Sequence, residues 1–273
     1  MQSDGVKFQV DAQGIGVLEI DRPRVRNALN WGAMQAFGQA VEAAHQRLDL
    51  LALIITGAGR AFISGGDLSE LQHYPSRSDG LRLARLMGDA LKRLEALPCP
   101  TIAALNGPAR GGGAEVALAC DLRVFAEEAD IGFVHTRLGI IPAWGGGQRL
   151  LHAVGYARAV ELLVTGRVLS AREALAVGLA NLVAPVGQAL AAARELAQRI
   201  AQNPPAAVQA AKRVLRFSRS EADEAALENE TAEFPALWDT EFRRAAVDAF
   251  LNKDLEKSNG RLKPAALPTR RVE

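Results

Sequence analysis

Hydrophobic positions along this chain alternate between short apolar runs and longer stretches spaced as one face of a helix. Val6–Val10 and Ile15–Ile20 are apolar-rich runs separated by Asp11-Ala-Gln-Gly14, and they predict a β-hairpin. Asn30 is placed as the N-cap of a helix from Trp31 to about Arg47, with Met34, Phe37, Val41 and Ala44 at helical spacing. Leu50–Thr56 is continuously apolar and reads as a strand buried on both faces. The polar stretch from His73 to Asp79, with Pro75 and two serines, reads as a surface loop. Leu81–Leu97 is amphipathic and predicts a helix that Pro98 and Pro100 end. Thr101–Leu105 is a further buried strand, and Ala114–Ala119 opens an apolar helix after three glycines. Leu122–Ala126 and Ile131–Val134 are strand candidates, followed by helices over Gly145–Val154 and Tyr156–Thr165. Ser170-Ala-Arg-Glu173 has the capping-box pattern, Gly178 ends that helix, and Leu179–Val183 returns as a strand.

The character changes near residue 186. Val186–Ala201, Ala206–Phe217, Ala222–Leu237 and Glu241–Lys257 all read as helices, and the last fifteen residues read as a loose tail. The predicted organisation is therefore an α/β core over residues 1–200 and a helical region over 201–273. Composition narrows the function classes. At 273 residues, 49% hydrophobic and 23% charged, this is an ordinary globular chain. A formal net charge of +1 leaves no electrostatic footprint for nucleic acid or a membrane surface. The two cysteines, Cys99 and Cys120, form neither a disulfide framework nor a CxxC pair. With no signal peptide or membrane-length apolar run in view, a cytoplasmic protein is expected.

The candidate chemistry lies in Thr101-Ile-Ala-Ala-Leu-Asn-Gly-Pro-Ala-Arg-Gly-Gly-Gly-Ala-Glu115. A strand, a glycine loop and a helix start point unpaired backbone N–H groups at whatever sits above the loop. Glu115 is the only carboxylate in the first turn of an otherwise apolar helix, a position suited to a general acid or base beside an oxyanion site. The same residues also fit a tight turn whose Glu115 faces water. A second glycine loop, Ser64-Gly65-Gly66-Asp67, follows another apolar strand. Adjacent strands would let N–H groups from the two loops converge on one oxygen. A dinucleotide site is disfavoured because GxGxxG is absent at 107–113. GxSxG is absent too, and the histidines at 45, 73, 135 and 152 have no metal-ligand spacing.

Taken together, AFISGGDL at 61–68, NGPARGGGAE at 106–115, ACDLRV at 119–124, LGIIPAWGGGQRL at 138–150 and DAFLNK at 248–253 resemble the crotonase (enoyl-CoA hydratase/isomerase) superfamily. The resemblance spans Arg22 to Lys253. It implies a spiral of repeated ββα units with C-terminal helices used in trimerisation, and hence a homotrimer or a hexamer built from two trimers. It implies an acyl-CoA thioester as ligand, with coenzyme A part of the substrate and no separate cofactor or metal. The oxyanion-hole donors it implies are the N–H groups of Gly66 and Gly112, and Glu115 matches one of two catalytic glutamates. Arg24, Ser64, Gly66, Asp67, Leu68, Gly112, Phe250 and Lys253 fall at CoA- or substrate-binding positions, with Asp67 fixing its loop.

The position of the second glutamate holds His135, which the resemblance makes a second acid–base candidate. The stretch FVHTRLGIIPAWGG at 133–146 is similar to ethylmalonyl-CoA decarboxylase-like members, and Trp144 stands where hydratases often carry a small residue. A lyase working through a thioester enolate is expected. Hydration of a 2-enoyl-CoA is the first reading and decarboxylation of an alkylmalonyl-CoA the alternative. A CoA-binding relative without catalysis is a third.

Overall fold

The structure, a computed structural model, describes residues 2–74 and 76–220. In chain order these form β1 (Gln2–Ser3), β2 (Val6–Val10), β3 (Ile15–Ile20), α1 (Trp31–His45), β4 (Ala52–Gly57), α2 (Leu68–Leu71) and α3 (Arg77–Glu95). Then come β5 (Thr101–Leu105), β6 (Ala109–Arg110), α4 (Gly112–Ala119), β7 (Leu122–Ala126) and β8 (Asp130–Gly132). The remainder are α5 (Gly146–Val154), α6 (Tyr156–Thr165), β9 (Val168–Ser170), α7 (Ala171–Ala176), β10 (Leu182–Ala184), α8 (Ala189–Ala201) and α9 (Pro205–Ser220). The first compact unit ends at Lys212.

The main sheet has the order β1-β2-β3-β4-β5-β7-β10. The β2–β3 hairpin is antiparallel, and the strands from β3 to β10 pair in parallel. Every residue of β4 and β5 is buried, as expected of parallel strands covered on both faces. Helix α8 lies across β4, β5 and β7. A smaller sheet, β6-β8-β9, forms a second layer. Single bridges from Leu29 to Gly66 and from Ile63 to Ala109 extend it to the chain following β4. One unit therefore repeats: a main-sheet strand, a short second-layer segment, then a helix. β4, residues 61–66 and α3 make one such unit, and β5, β6 and α4 make the next. This is the spiral of ββα units implied by the resemblance.

Asn30 caps α1 as expected, its side chain accepting from the Ala33 N–H at 2.9 Å. Several boundaries differ from the sequence reading. Helix α3 begins at Arg77, within the stretch read as a loop, because Ser76 and Asp79 form a reciprocal capping box ahead of its apolar face. The strand expected over Ile131–Val134 stops at Gly132, and Val134–Leu138 turns into a 3-10 helix that carries His135 inward. The strand expected from Leu179 begins at Leu182, since the Leu179 and Ala180 N–H groups close the end of α7 on the Ala174 carbonyl. The helices expected over Ala222–Leu237 and Glu241–Lys257 lie outside the described residues, as do Phe250 and Lys253.

Candidate active site

The two glycine loops meet because their strands are neighbours. β4 pairs with β5, and in the second layer Phe62 donates to the Pro108 carbonyl while Arg110 donates to the Ile63 carbonyl. A Cβ on Gly65 would stand 3.0 Å from the Arg110 carbonyl oxygen and 3.3 Å from the Gly112 nitrogen. Gly66 and Gly112 thus sit on adjoining rungs, and neither donates its N–H to a partner among the described residues. The Gly112 N–H has no intrahelical acceptor because Gly112 is the first residue of α4.

Each glycine of the 111–113 triplet answers a different constraint. Gly111 has φ +51° and ψ −118°, a backbone conformation closed to side chains. A Cβ on Gly112 would meet the Trp144 ring at 2.1 Å, and one on Gly113 would meet the Ile63 carbonyl at 1.8 Å. The helix start is therefore pressed between the loop after β4 and the indole of Trp144.

Glu115 does not face water. It is 2% exposed in a helix whose every residue is buried. Its Oε1 accepts from the backbone N–H groups of Trp144 at 2.8 Å and Gly146 at 2.9 Å. Its Oε2 lies 3.0 Å from Nε2 of His135, itself 6% exposed. His135 Nδ1 is buried with no partner among the described residues. The two residues sought as an acid–base pair, twenty positions apart in sequence, are in direct contact. The other nearby acids are engaged elsewhere: Glu128 accepts from the Gly187 N–H, and Asp130 forms a fork with Arg110 at 2.5 and 2.8 Å.

The remaining candidates flank the first loop. Ser64 donates to the Val25 carbonyl at 3.4 Å, which ties the exposed 3-10 turn carrying Arg24 to this loop. Leu68 starts α2 and is 57% exposed. Asp67 is a loop-fixing residue: it accepts from the Ser69 hydroxyl at 2.5 Å and pairs with Arg22 at 3.3 Å. The Ser69 hydroxyl, then Arg22, hold its carboxyl below the usual carboxylate range, despite partial burial.

Sequence reasoning missed several supporting residues. Buried Asn27 donates to the carbonyls of Ala58, Ala61 and Phe62, and so holds the turn that leads into the first loop. Arg149 forms a fork on Glu95 at 2.9 and 2.7 Å and donates to the Trp144 carbonyl at 2.6 Å. One signal was available for that pair. Glu95 is the last residue of α3, where the helix dipole disfavours an acid, so a cationic partner was to be expected. Among the described residues, no group of three or more His, Cys, Asp or Glu side chains converges as a metal site. No described helix is long and apolar enough to cross a membrane.

Comparison with known proteins shows the family. Residues 11–259 match the enoyl-CoA hydratase/isomerase family. The short-chain-enoyl-CoA hydratase of Clostridium acetobutylicum is 35% identical over 240 residues, 88% of this chain and 92% of that one. The ethylmalonyl-CoA decarboxylase of Gallus gallus is 33% identical over 236 residues, 85% of this chain and 79% of that one. The crystal structure of an enoyl-CoA hydratase from Bacillus anthracis superposes with a TM-score of 0.86 at 33% identity, covering 92% of this chain and 97% of that one. The chain belongs to the enoyl-CoA hydratase/isomerase family, the crotonase superfamily.

Proposed function

We propose that this protein acts on an acyl-CoA thioester through an enolate, and that its reaction is hydration of a 2-enoyl-CoA to a 3-hydroxyacyl-CoA. The observation that carries the reading is the buried Glu115, with one oxygen anchored by two backbone N–H groups and the other on His135. In this reading the N–H groups of Gly66 and Gly112 hold the thioester oxygen where negative charge develops. Water forms a C–O bond at C3, and the C2=C3 electron pair moves through C2 onto that oxygen. The Glu115–His135 pair takes the proton of the water, and a proton returns to C2 as the enolate collapses. One water is added and nothing else is consumed. In the same reading Arg24, Ser64, Asp67 and Leu68 would contact the CoA portion, and Trp144 would narrow the acyl pocket. Coenzyme A enters as part of the substrate, and a homotrimer or a pair of trimers is the assembly proposed.

One observation favours a second reading, decarboxylation of an alkylmalonyl-CoA. His135 replaces a carboxylate, so the pair at the site carries one acidic group, hydrogen-bonded to an imidazole. A substrate carboxylate meets less repulsion there than between two glutamates. The C–CO2 bond would break, its electron pair would pass to the thioester oxygen, and C2 would take a proton from the same pair. Mass spectrometry on a panel of 2-enoyl-CoA and alkylmalonyl-CoA thioesters separates the readings. Gain of one water by enoyl substrates supports hydration, and loss of carbon dioxide from malonyl-type substrates supports decarboxylation. Conversion of neither class overturns both and leaves a binding role without catalysis.

A further inference from the structure

The anchor of Glu115 is itself held. Its Oε1 rests on the N–H groups of Trp144 and Gly146, the two ends of a three-residue turn that starts α5. The buried Trp144 indole packs one side of that turn against Gly112, and the Arg149 backbone N–H donates to the Gly145 carbonyl at 3.2 Å. Gly145 has φ +90° and supplies no side-chain cap. A further restraint comes from the side chain of Arg149, one helical turn onward, which folds back over the turn. Its Nη1 donates to the Trp144 carbonyl at 2.6 Å, while Nε and Nη2 form a fork on Glu95 at 2.9 and 2.7 Å. A Cβ on Gly145 would lie 2.7 Å from Nη1, so the turn lies directly against the guanidinium.

We propose that the Glu95–Arg149 ion pair is a positioning device for Glu115. It fixes the Trp144–Gly146 turn from behind, and so fixes the direction of the carboxylate that turn holds. Both partners are largely shielded from water, with side-chain exposures of 8% for Arg149 and 15% for Glu95. A shielded ion pair is a poor means of gaining stability compared with apolar side chains of similar size. Its use here is geometric: a planar fork fixes direction as well as distance, which a packed methyl group does not. The gain is at the reacting atoms, because an acid–base group displaced by a fraction of an ångström loses rate without losing substrate. This inference rests on the acid–base reading of Glu115.

The test compares wild type with Glu115→Gln, Arg149→Lys, Arg149→Met and the double variant Glu95→Leu/Arg149→Met. The readouts are kcat and KM on the thioester that the panel identifies, melting temperature, and amide hydrogen exchange across residues 144–146. Arg149→Met is expected to lower kcat at least about tenfold while leaving KM nearly unchanged, and to speed exchange at the Trp144 and Gly146 amides. Arg149→Lys keeps the charge without the fork and is expected to recover only part of that loss. The double variant restores apolar packing and is expected to regain melting temperature without regaining kcat. Recovery of kcat together with melting temperature in the double variant overturns the proposal, since the pair would then be structural only. Wild-type kcat in Arg149→Lys and Arg149→Met beside an inactive Glu115→Gln also overturns it and leaves the reading of Glu115 intact. Wild-type kcat in Glu115→Gln overturns the reading of Glu115 and the positioning role with it.

Discussion

Oε2 of Glu115 lies 3.0 Å from Nε2 of His135, and both side chains are buried. The contact joins the first turn of α4 to the 3-10 helix after β8, and it brings together the two residues proposed as an acid–base pair. Replacing Glu115 by Gln keeps the shape and removes the acid. The expected outcome is a loss of about 10²–10⁴ in kcat with the fold retained, checked by steady-state kinetics beside circular dichroism.

In the proposed function, His135 is the residue whose identity distinguishes the two reactions. Glu in its place would put two carboxylates in one buried site and create a pair able to hold water between them. His135→Glu is therefore expected to raise the ratio of hydration to decarboxylation on a mixed panel of thioesters. His135→Asn, which keeps a donor but cannot carry a proton, is expected to lower whichever activity the wild type has. An unchanged product ratio in His135→Glu would remove His135 from the control of reaction type.

Trp144 and the glycine triplet make a packing prediction. A Cβ on Gly112 would meet the Trp144 ring at 2.1 Å, whereas one on Gly113 would meet the Ile63 backbone carbonyl at 1.8 Å. Gly112→Ala is expected to cost about 1–3 kcal/mol through overpacking. Adding Trp144→Ala should relieve that strain, so the two changes should be non-additive in melting temperature. Gly113→Ala meets backbone and should gain nothing from the same partner change.

The cysteines give a pH dependence with a definite sign. Burial pushes the thiol of Cys99 up to about 11 and that of Cys120 up to about 12, from 9.0. Above pH 9 the unfolded chain releases these protons while the folded chain keeps them. The unfolded state then binds fewer protons, and stability falls as pH rises from about 9 toward 11, by about 1.4 kcal/mol per pH unit for each thiol. Denaturant melts of wild type and of Cys99→Ala/Cys120→Ala across this range should show the decline shrinking in the double variant. The same burial predicts that a thiol reagent at pH 8 labels both cysteines only after unfolding.

Asp67 acts in the opposite direction. Its folded-state pKa is lowered, first by the Ser69 hydroxyl and then by Arg22. The stability it contributes is present above the ordinary carboxylate range and is lost as pH falls through the lowered value. Asp67→Asn should therefore narrow the stability difference between pH 7 and pH 3 relative to wild type, as measured by thermal melts.

Much of this architecture was legible in the sequence, and the reasons are physical. The β2–β3 hairpin, β5, α6 and the Asn30 cap follow from local period and turn chemistry, and they stand where the residues predicted. The glycine loops and Glu115 could be read because strand–glycine–helix is itself a local pattern. The start of α3 was hidden because Ser76 and Ser78 read as loop residues, and a reciprocal side-chain cap outweighed their low propensity. The Glu95–Arg149 pair was not legible as a pair, since its partners are 54 residues apart and meet only in the packed fold. The direct contact of Glu115 with His135 needed the 3-10 turn at Val134, which a strand reading of Ile131–Val134 would have prevented.

The most direct measurement is incubation of wild type and Glu115→Gln with the thioester panel in deuterated water, followed by mass spectrometry of the products. Enolate chemistry run by the Glu115–His135 pair predicts a product carrying deuterium at C2, formed by the wild type and not by Glu115→Gln. Conversion of no thioester, or equal conversion and labelling by both proteins, would contradict it.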